Sequence, residues 1–142
     1  MSVWTRRLFL LAPGTALAAE EAIPAEFAEL PGRPVVALAQ HPAVGPRLRV
    51  VARGRQKQVS DTLRGEGPGL AWQGGWIAGW ARLADHRVFL GYNPRSEQLA
   101  TMLWVGNTSS LSVPPLMSPW PEGLREAMKG FNPQLETQMR WE

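Results

Sequence analysis

Residues 70–83 read LAWQGGWIAGWARL, three tryptophans spaced by four with three glycines among them. A spacing of four places Trp72, Trp76 and Trp80 on one side of either a helix or a strand. The glycines break the tie. Gly74, Gly75 and Gly79 would each cost a helix interior about 1 kcal/mol relative to alanine. In a strand, glycine instead marks a bulge, a turn or a close backbone approach. The stretch is therefore expected to form one or two strands with a turn or bulge at 73–75. Leu70, Trp72, Trp76, Ala78 and Trp80 should then share one face. That face is expected to be core, because buried aromatics dominate core energetics. The functional alternative is an aromatic platform, which makes Trp72, Trp76 and Trp80 candidate ligand-binding residues for a flat apolar or sugar ring. A partner-protein interface is the third reading.

The first residues do not read as part of that fold. Residues 1–7 are basic, 8–19 are uncharged and mostly apolar, and Ala16-Leu17-Ala18 is a small-x-small cleavage site. This is the order of regions in an export leader. Its apolar part is too short to span a bilayer, which takes roughly 20 residues. Thr5-Arg6-Arg7-Leu8-Phe9-Leu10 resembles the leader of twin-arginine translocation substrates, which implies that Arg6 and Arg7 are the export signal. Leu11 stands where that leader usually carries lysine, so the general secretory route is the alternative. The expected division is a cleavable signal peptide over 1–18 and a single β-rich domain over 19–142, periplasmic or secreted. The mature chain has no other segment apolar enough to cross a membrane.

The formal net charge is +3; losing Arg6 and Arg7 with the leader takes it to +1, so the bulk pI overstates how basic the working protein is. There is no cysteine. A disulfide, a thiolate metal site and a cysteine nucleophile are excluded, and the core alone must hold the fold. No cofactor is implied, and no residue spacing points to a metal site.

The second pattern lies at 47–57. Arg47, Arg49, Arg53, Arg55 and Lys57 occupy odd positions, with Leu48, Val50 and Ala52 between them. Alternation with a period of two predicts a half-buried strand whose outer face is a row of cations. Such a row either guards an exposed sheet edge or forms an anion-binding face. For an exported protein the anions would be anionic lipid or lipopolysaccharide phosphates, or acidic glycans. Nucleic acid is disfavoured, because no aromatic residues interleave with the basic run.

The other elements follow from turn chemistry. Pro24 opens a short acidic helix to about Leu30, and 35–40 reads as an apolar strand. Residues 64–69, RGEGPG, read as a plain loop. Residues 87–92 and 98–105 form a hairpin around Asn93-Pro94-Arg95-Ser96, and 108–113 a further strand. Leu124, Ala127, Met128 and Phe131 form a helical stripe. Asn132-Pro133 caps a second short helix running to about Arg140. The fold expected is α+β and β-rich: a small antiparallel sheet or barrel of about six to eight strands with C-terminal helices.

The catalytic inventory is thin. It comprises His41 and His86, Asp61 and Asp85, and glutamates such as Glu66 and Glu97, with no nucleophile elbow. The leading reading is a non-catalytic envelope binding or accessory module for a small apolar or glycan ligand, an anionic envelope component or a partner protein. The alternatives are a small periplasmic hydrolase or lyase using histidine and carboxylate residues, and a structural subunit exported with a partner.

Overall fold

The computed structural model describes residues 22–142. The leader, with Arg6 and Arg7, lies outside the described residues.

The centre is a sheet of five strands: β1 (Ala71–Gln73), β2 (Trp76–Leu83), β3 (His86–Asn93), β4 (Gln98–Val105) and β5 (Thr108–Val113). They pair antiparallel in chain order, β1-β2-β3-β4-β5. The Asn93 turn forms as its chemistry predicts: the Asn93 side-chain oxygen accepts from the backbone N–H groups of Arg95 and Ser96 at 3.0 and 3.1 Å. The β3–β4 hairpin is the one expected, and β5 matches the strand expected over 108–113.

Both faces of the sheet are covered. Three short helices, α1 (Val35–Ala39), α2 (Gly45–Val51) and α3 (Gln56–Leu63), lie on one side. Val35, Leu38, Leu48, Val59 and Leu63 pack there with Ile77, Val88, Leu90 and Leu103. The C-terminal segment covers the other side with a 3-10 turn, Glu122–Leu124, and a last helix, α4 (Pro133–Glu136). Trp120, Leu124, Met128, Phe131 and Leu135 pack there with Trp76, Phe89, Met102 and Trp104. This arrangement explains why β3 and β4 are buried over five consecutive residues instead of alternating. Thr101, inside this sheet, satisfies its hydroxyl by donating to the Phe89 carbonyl at 2.8 Å.

The α+β class stands, and its finer form is corrected. Among the described residues there are five strands, not six to eight, and they form an open sheet, not a barrel. With an apolar layer on each side, the sheet buries its residues without closing on itself.

The strands expected over 35–40 and along 47–57 do not form: α1, α2 and the start of α3 occupy these segments. Leu48 and Ala52 are buried, and a separation of four satisfies both periods. Val50 decides between them: a strand would bury it with Leu48 and Ala52, and it is 66% exposed. Pro46 sits in the first turn of α2, where a missing N–H costs nothing.

The tryptophans do not share a face. The turn falls at Gly74-Gly75, both at positive φ (58° and 84°), the conformation a two-residue hairpin needs. Gln73 pairs with Trp76 and Trp72 with Ile77. Crossing such a turn reverses the parity of the face. Leu70 and Trp72 therefore join the helix side, while Trp76, Ala78 and Trp80 join the C-terminal side.

Three smaller expectations change as well. The acidic helix after Pro24 is a single 3-10 turn, Ala25–Phe27. The stripe at 124–131 is buried as expected, but a run of turns carries it, mixing three- and four-residue hydrogen bonds. Asn132 caps α4 by accepting from the Gln134 N–H at 3.1 Å, yet α4 ends at Glu136. The glycine-rich 64–69 segment is more than a loop. Glu66 and Arg82 exchange two backbone hydrogen bonds, 2.9 and 2.7 Å, so the segment straps onto β2.

Candidate functional site

Three connected helices of five, seven and eight residues form the helix layer. Residues of all three line a groove of about 780 Å³. Its apolar lining comes from Val36 and Ala39 of α1, Leu48 and Ala52 at α2, and Val59 and Leu63 of α3. Its polar lining combines the cations Arg49, Lys57 and Arg64 with His41, Gln40, Gln56 and Ser60. No carboxylate lines it. Gly45 sets how closely α2 approaches α1, because a Cβ there would meet the Ala39 carbonyl oxygen at 3.0 Å.

The predicted cation row is divided by the helical geometry. Arg47 turns to the sheet, pairing with the Glu97 carboxylate at 2.8 Å and donating to its carbonyl at 3.2 Å. The Arg55 Nε donates to the Ser110 hydroxyl of β5 at 2.7 Å. Lys57 pairs with Asp61 one turn along α3 at 2.9 Å. These pairs are exposed, so each adds little to stability. Arg53 is exposed beyond the end of α2. Arg49 and Arg64 border the groove, and among the described residues neither guanidinium has a hydrogen-bond or ion-pair partner. The row therefore does not lie along one strand face: Arg49 and Lys57 line the groove, while Arg47 and Arg55 bond to Glu97 and Ser110 of the sheet. Arg64, which was not among the predicted site residues, belongs to the groove. The signal for it was its place four residues after Ser60 and one after the apolar Leu63, visible only once the segment is read as a helix.

The tryptophans divide as well. Trp76 is 5% exposed and packs on Gly123, whose Cβ, if present, would meet its ring at 2.8 Å. Trp80 lies edge-on to Phe131 with centroids 6.1 Å apart, and its indole N–H donates to the Lys129 carbonyl at 3.3 Å. Both are held by the C-terminal cover. Trp72 is half-buried and borders a smaller hollow of about 290 Å³ with Gly74, Gly75, Asn93 and Arg95.

The histidines are occupied locally. The Nδ1 of His41 accepts from the Ala43 N–H at 3.0 Å, while its Nε2 lies 3.1 Å from the Glu26 carbonyl oxygen, which fixes Nε2 as the protonated nitrogen. The ring stacks on Phe27 at 4.1 Å. Nδ1 of His86 meets the carboxylate of its neighbour Asp85 at 2.9 Å in the β2–β3 turn. Burial pushes the Tyr92 hydroxyl above its ordinary pKa, and Arg47 partly offsets this, so the phenol stays neutral. Among the described residues no group of three or more acidic or histidine side chains is placed to hold a metal ion, and no helix is long and apolar enough to cross a membrane.

Comparison with protein-family models, with curated proteins and with solved structures finds no match to this chain.

Proposed function

We propose that the chain is a non-catalytic binding module of the cell envelope, exported by its N-terminal leader to the periplasm or beyond, and that the groove between α1, α2 and α3 is its ligand site. The observation that carries this is the groove itself: an apolar floor with cations in its polar lining and no carboxylate. Its volume lies within the roughly 300–1,000 Å³ usual for small-molecule sites. An apolar ligand portion would gain burial there, and an anionic portion would meet cations at the edge. The hydrolase or lyase alternative asks for a histidine and a carboxylate facing one cavity. His41 borders the groove among cations, with both ring nitrogens engaged by backbone.

A second reading rests on Trp72 and its hollow, an aromatic surface beside the Asn93 amide that would suit a sugar ring. One experiment separates the two. Calorimetric titration with decyl phosphate, below its micelle concentration, is expected to show binding that Ala39→Glu abolishes and Trp72→Ala leaves unchanged. Both variants are to be checked by urea unfolding. Binding lost in Trp72→Ala and kept in Ala39→Glu would move the site to the hollow.

Export is tested separately. Amino-terminal sequencing of the mature protein is expected to begin at Ala19, and a start at Met1 or Ser2 would contradict the leader. Arg6→Lys with Arg7→Lys is expected to block export only on the twin-arginine route.

A further inference from the structure

An open sheet has two outer edges, and the described residues close one of them. Beside β1, the Gly32 N–H donates to the Leu70 carbonyl at 2.7 Å and the Leu70 N–H to the Arg33 carbonyl at 2.8 Å. Further along, the two bonds between Glu66 and Arg82 hold a part of β2 that β1 does not reach. β5 is the other edge. Among the described residues it makes no backbone hydrogen bond beyond its pairing with β4. An outer strand presents a row of unpaired N–H and C=O groups, and chains commonly guard it with charges, proline or a bulge. β5 reads TSSLSV, with neither a charge nor a proline. It is guarded at one point. The register shift between Leu103 and Trp104 leaves Ser110 without a partner on β4, and Arg55 bonds to the Ser110 hydroxyl there. Residues 111–113 pair regularly with 101–103, and their outward side carries no such guard.

The surface beside this edge is apolar in both layers. Val50, Leu83 and Met117 are the exposed large hydrophobic residues among those described. Two of them flank β5. Val50 does not line the groove. It stands three residues from Arg47, so the two share a side of α2, and Arg47 ties that side to Glu97 just before β4. Met117, 73% exposed, follows β5 in the chain, and its carbonyl accepts from Arg140 of the C-terminal layer at 2.9 Å. We propose that two copies of the mature chain pair through β5, antiparallel about a twofold axis normal to the sheet, so that two five-stranded sheets become one. Such a contact is self-complementary, because the same patch serves both partners. The outward N–H groups of each β5 meet the carbonyls of the other. The axis sets helix layer beside helix layer, so Val50 and Met117 each face the matching layer of the second copy. Pairing along 111–113 keeps the two Arg55 side chains at opposite ends of the contact. Charge permits this occupant: losing Arg6 and Arg7 leaves the mature chain at +1, too little to hold copies apart. An extended peptide would satisfy the edge and leave both apolar flanks uncovered. The pairing is independent of the groove.

Sedimentation velocity of the mature protein over a range of concentrations tests the pairing, with a monomer–dimer equilibrium expected. Val50→Glu and Met117→Glu should each weaken association at least about tenfold, because each buries a charge without a partner in the dimer. Both positions are exposed, so neither variant should lose stability as a monomer, which urea unfolding at low concentration checks. Amide exchange at 111–113 should slow as the protein is concentrated and quicken on dilution, while exchange in β1 should not respond. Monomer at every concentration would overturn the proposal. A dimer that survives both substitutions, with exchange in β5 indifferent to concentration, would overturn this interface. Growth past the dimer into longer assemblies would overturn the twofold pairing, because a closed contact leaves no β5 edge to extend.

Discussion

Replacing Trp120 by alanine is expected to remove about 3–5 kcal/mol of stability, the range for a large aromatic deleted from a core. Trp120 has no exposed surface. Its ring stands edge-on to Phe89 at 6.3 Å, and its indole N–H donates to the Pro115 carbonyl at 3.2 Å. Its backbone also ties the C-terminus, accepting from the Glu142 N–H at 3.0 Å and donating to the Arg140 carbonyl at 2.9 Å. The truncated side chain would leave a cavity at the centre of the C-terminal layer, where backbone bonds on both sides resist collapse. Trp76→Ala is expected to cost a comparable amount. A domain of this size holds only about 5–15 kcal/mol in all, so either variant should be at the edge of folding. Trp72→Ala, at a half-buried position, should cost far less, about 1 kcal/mol. Urea unfolding gives the stabilities, and acrylamide quenching of the remaining tryptophans shows whether the C-terminal layer has opened. Equal stabilities for Trp76→Ala and the parent would contradict the placement of the inner face.

Gly67→Ala is the second large effect expected, about 2–3 kcal/mol, near the top of the range for forcing atoms into a packed site. A Cβ on Gly67 would overlap the carbonyl oxygen of Trp80, and one on Gly65 would overlap that of Arg82. The obstacle is the backbone of β2, held along its length by pairing with β3, which cannot rotate away as a flexible side chain would. The strap between 65 and 67 would have to lift, breaking the two hydrogen bonds between Glu66 and Arg82. Glu66→Gln, which changes only an exposed side chain, should shift stability by less than about 0.5 kcal/mol. Hydrogen exchange at the Glu66 and Arg82 amides checks the mechanism: both should exchange faster in Gly67→Ala and stay protected in Glu66→Gln. Protected amides in a destabilised Gly67→Ala would place the damage elsewhere.

Much of the sheet was legible because its signals are local. Asn93-Pro94 marks a turn whatever surrounds it, and the apolar runs on either side of it are strand-length. Asn132-Pro133 announced a cap for the same reason. The helical layer was hidden because its helices are too short to repeat their pattern. Leu48 and Ala52 are one helical turn apart and equally two strand steps apart, so their spacing cannot choose. The choice lies with Val50, and its exposure depends on tertiary packing. The tryptophans illustrate a related limit. Their spacing is legible, but one two-residue turn at Gly74-Gly75 moves Trp72 to the opposite layer, and face assignment fails if the turn is passed over. The candidate groove inherited both difficulties. Arg49 and Lys57 stood out in the sequence as cations, yet Arg64 joins them only when α3 is known to be helical.

The central claim is that both sheet faces are covered, so that ligand binding falls to the groove between the helices. Backbone amide shifts of the mature protein, followed by nuclear magnetic resonance during titration with decyl phosphate, test it most directly. The account predicts saturable shifts at Val36, Ala39, Arg49, Ser60 and Arg64, with Trp76, Trp80, Phe89 and Trp120 unmoved. Shifts concentrated at Trp72, Gly74, Gly75 and Trp76, with α1, α2 and α3 silent, would contradict it.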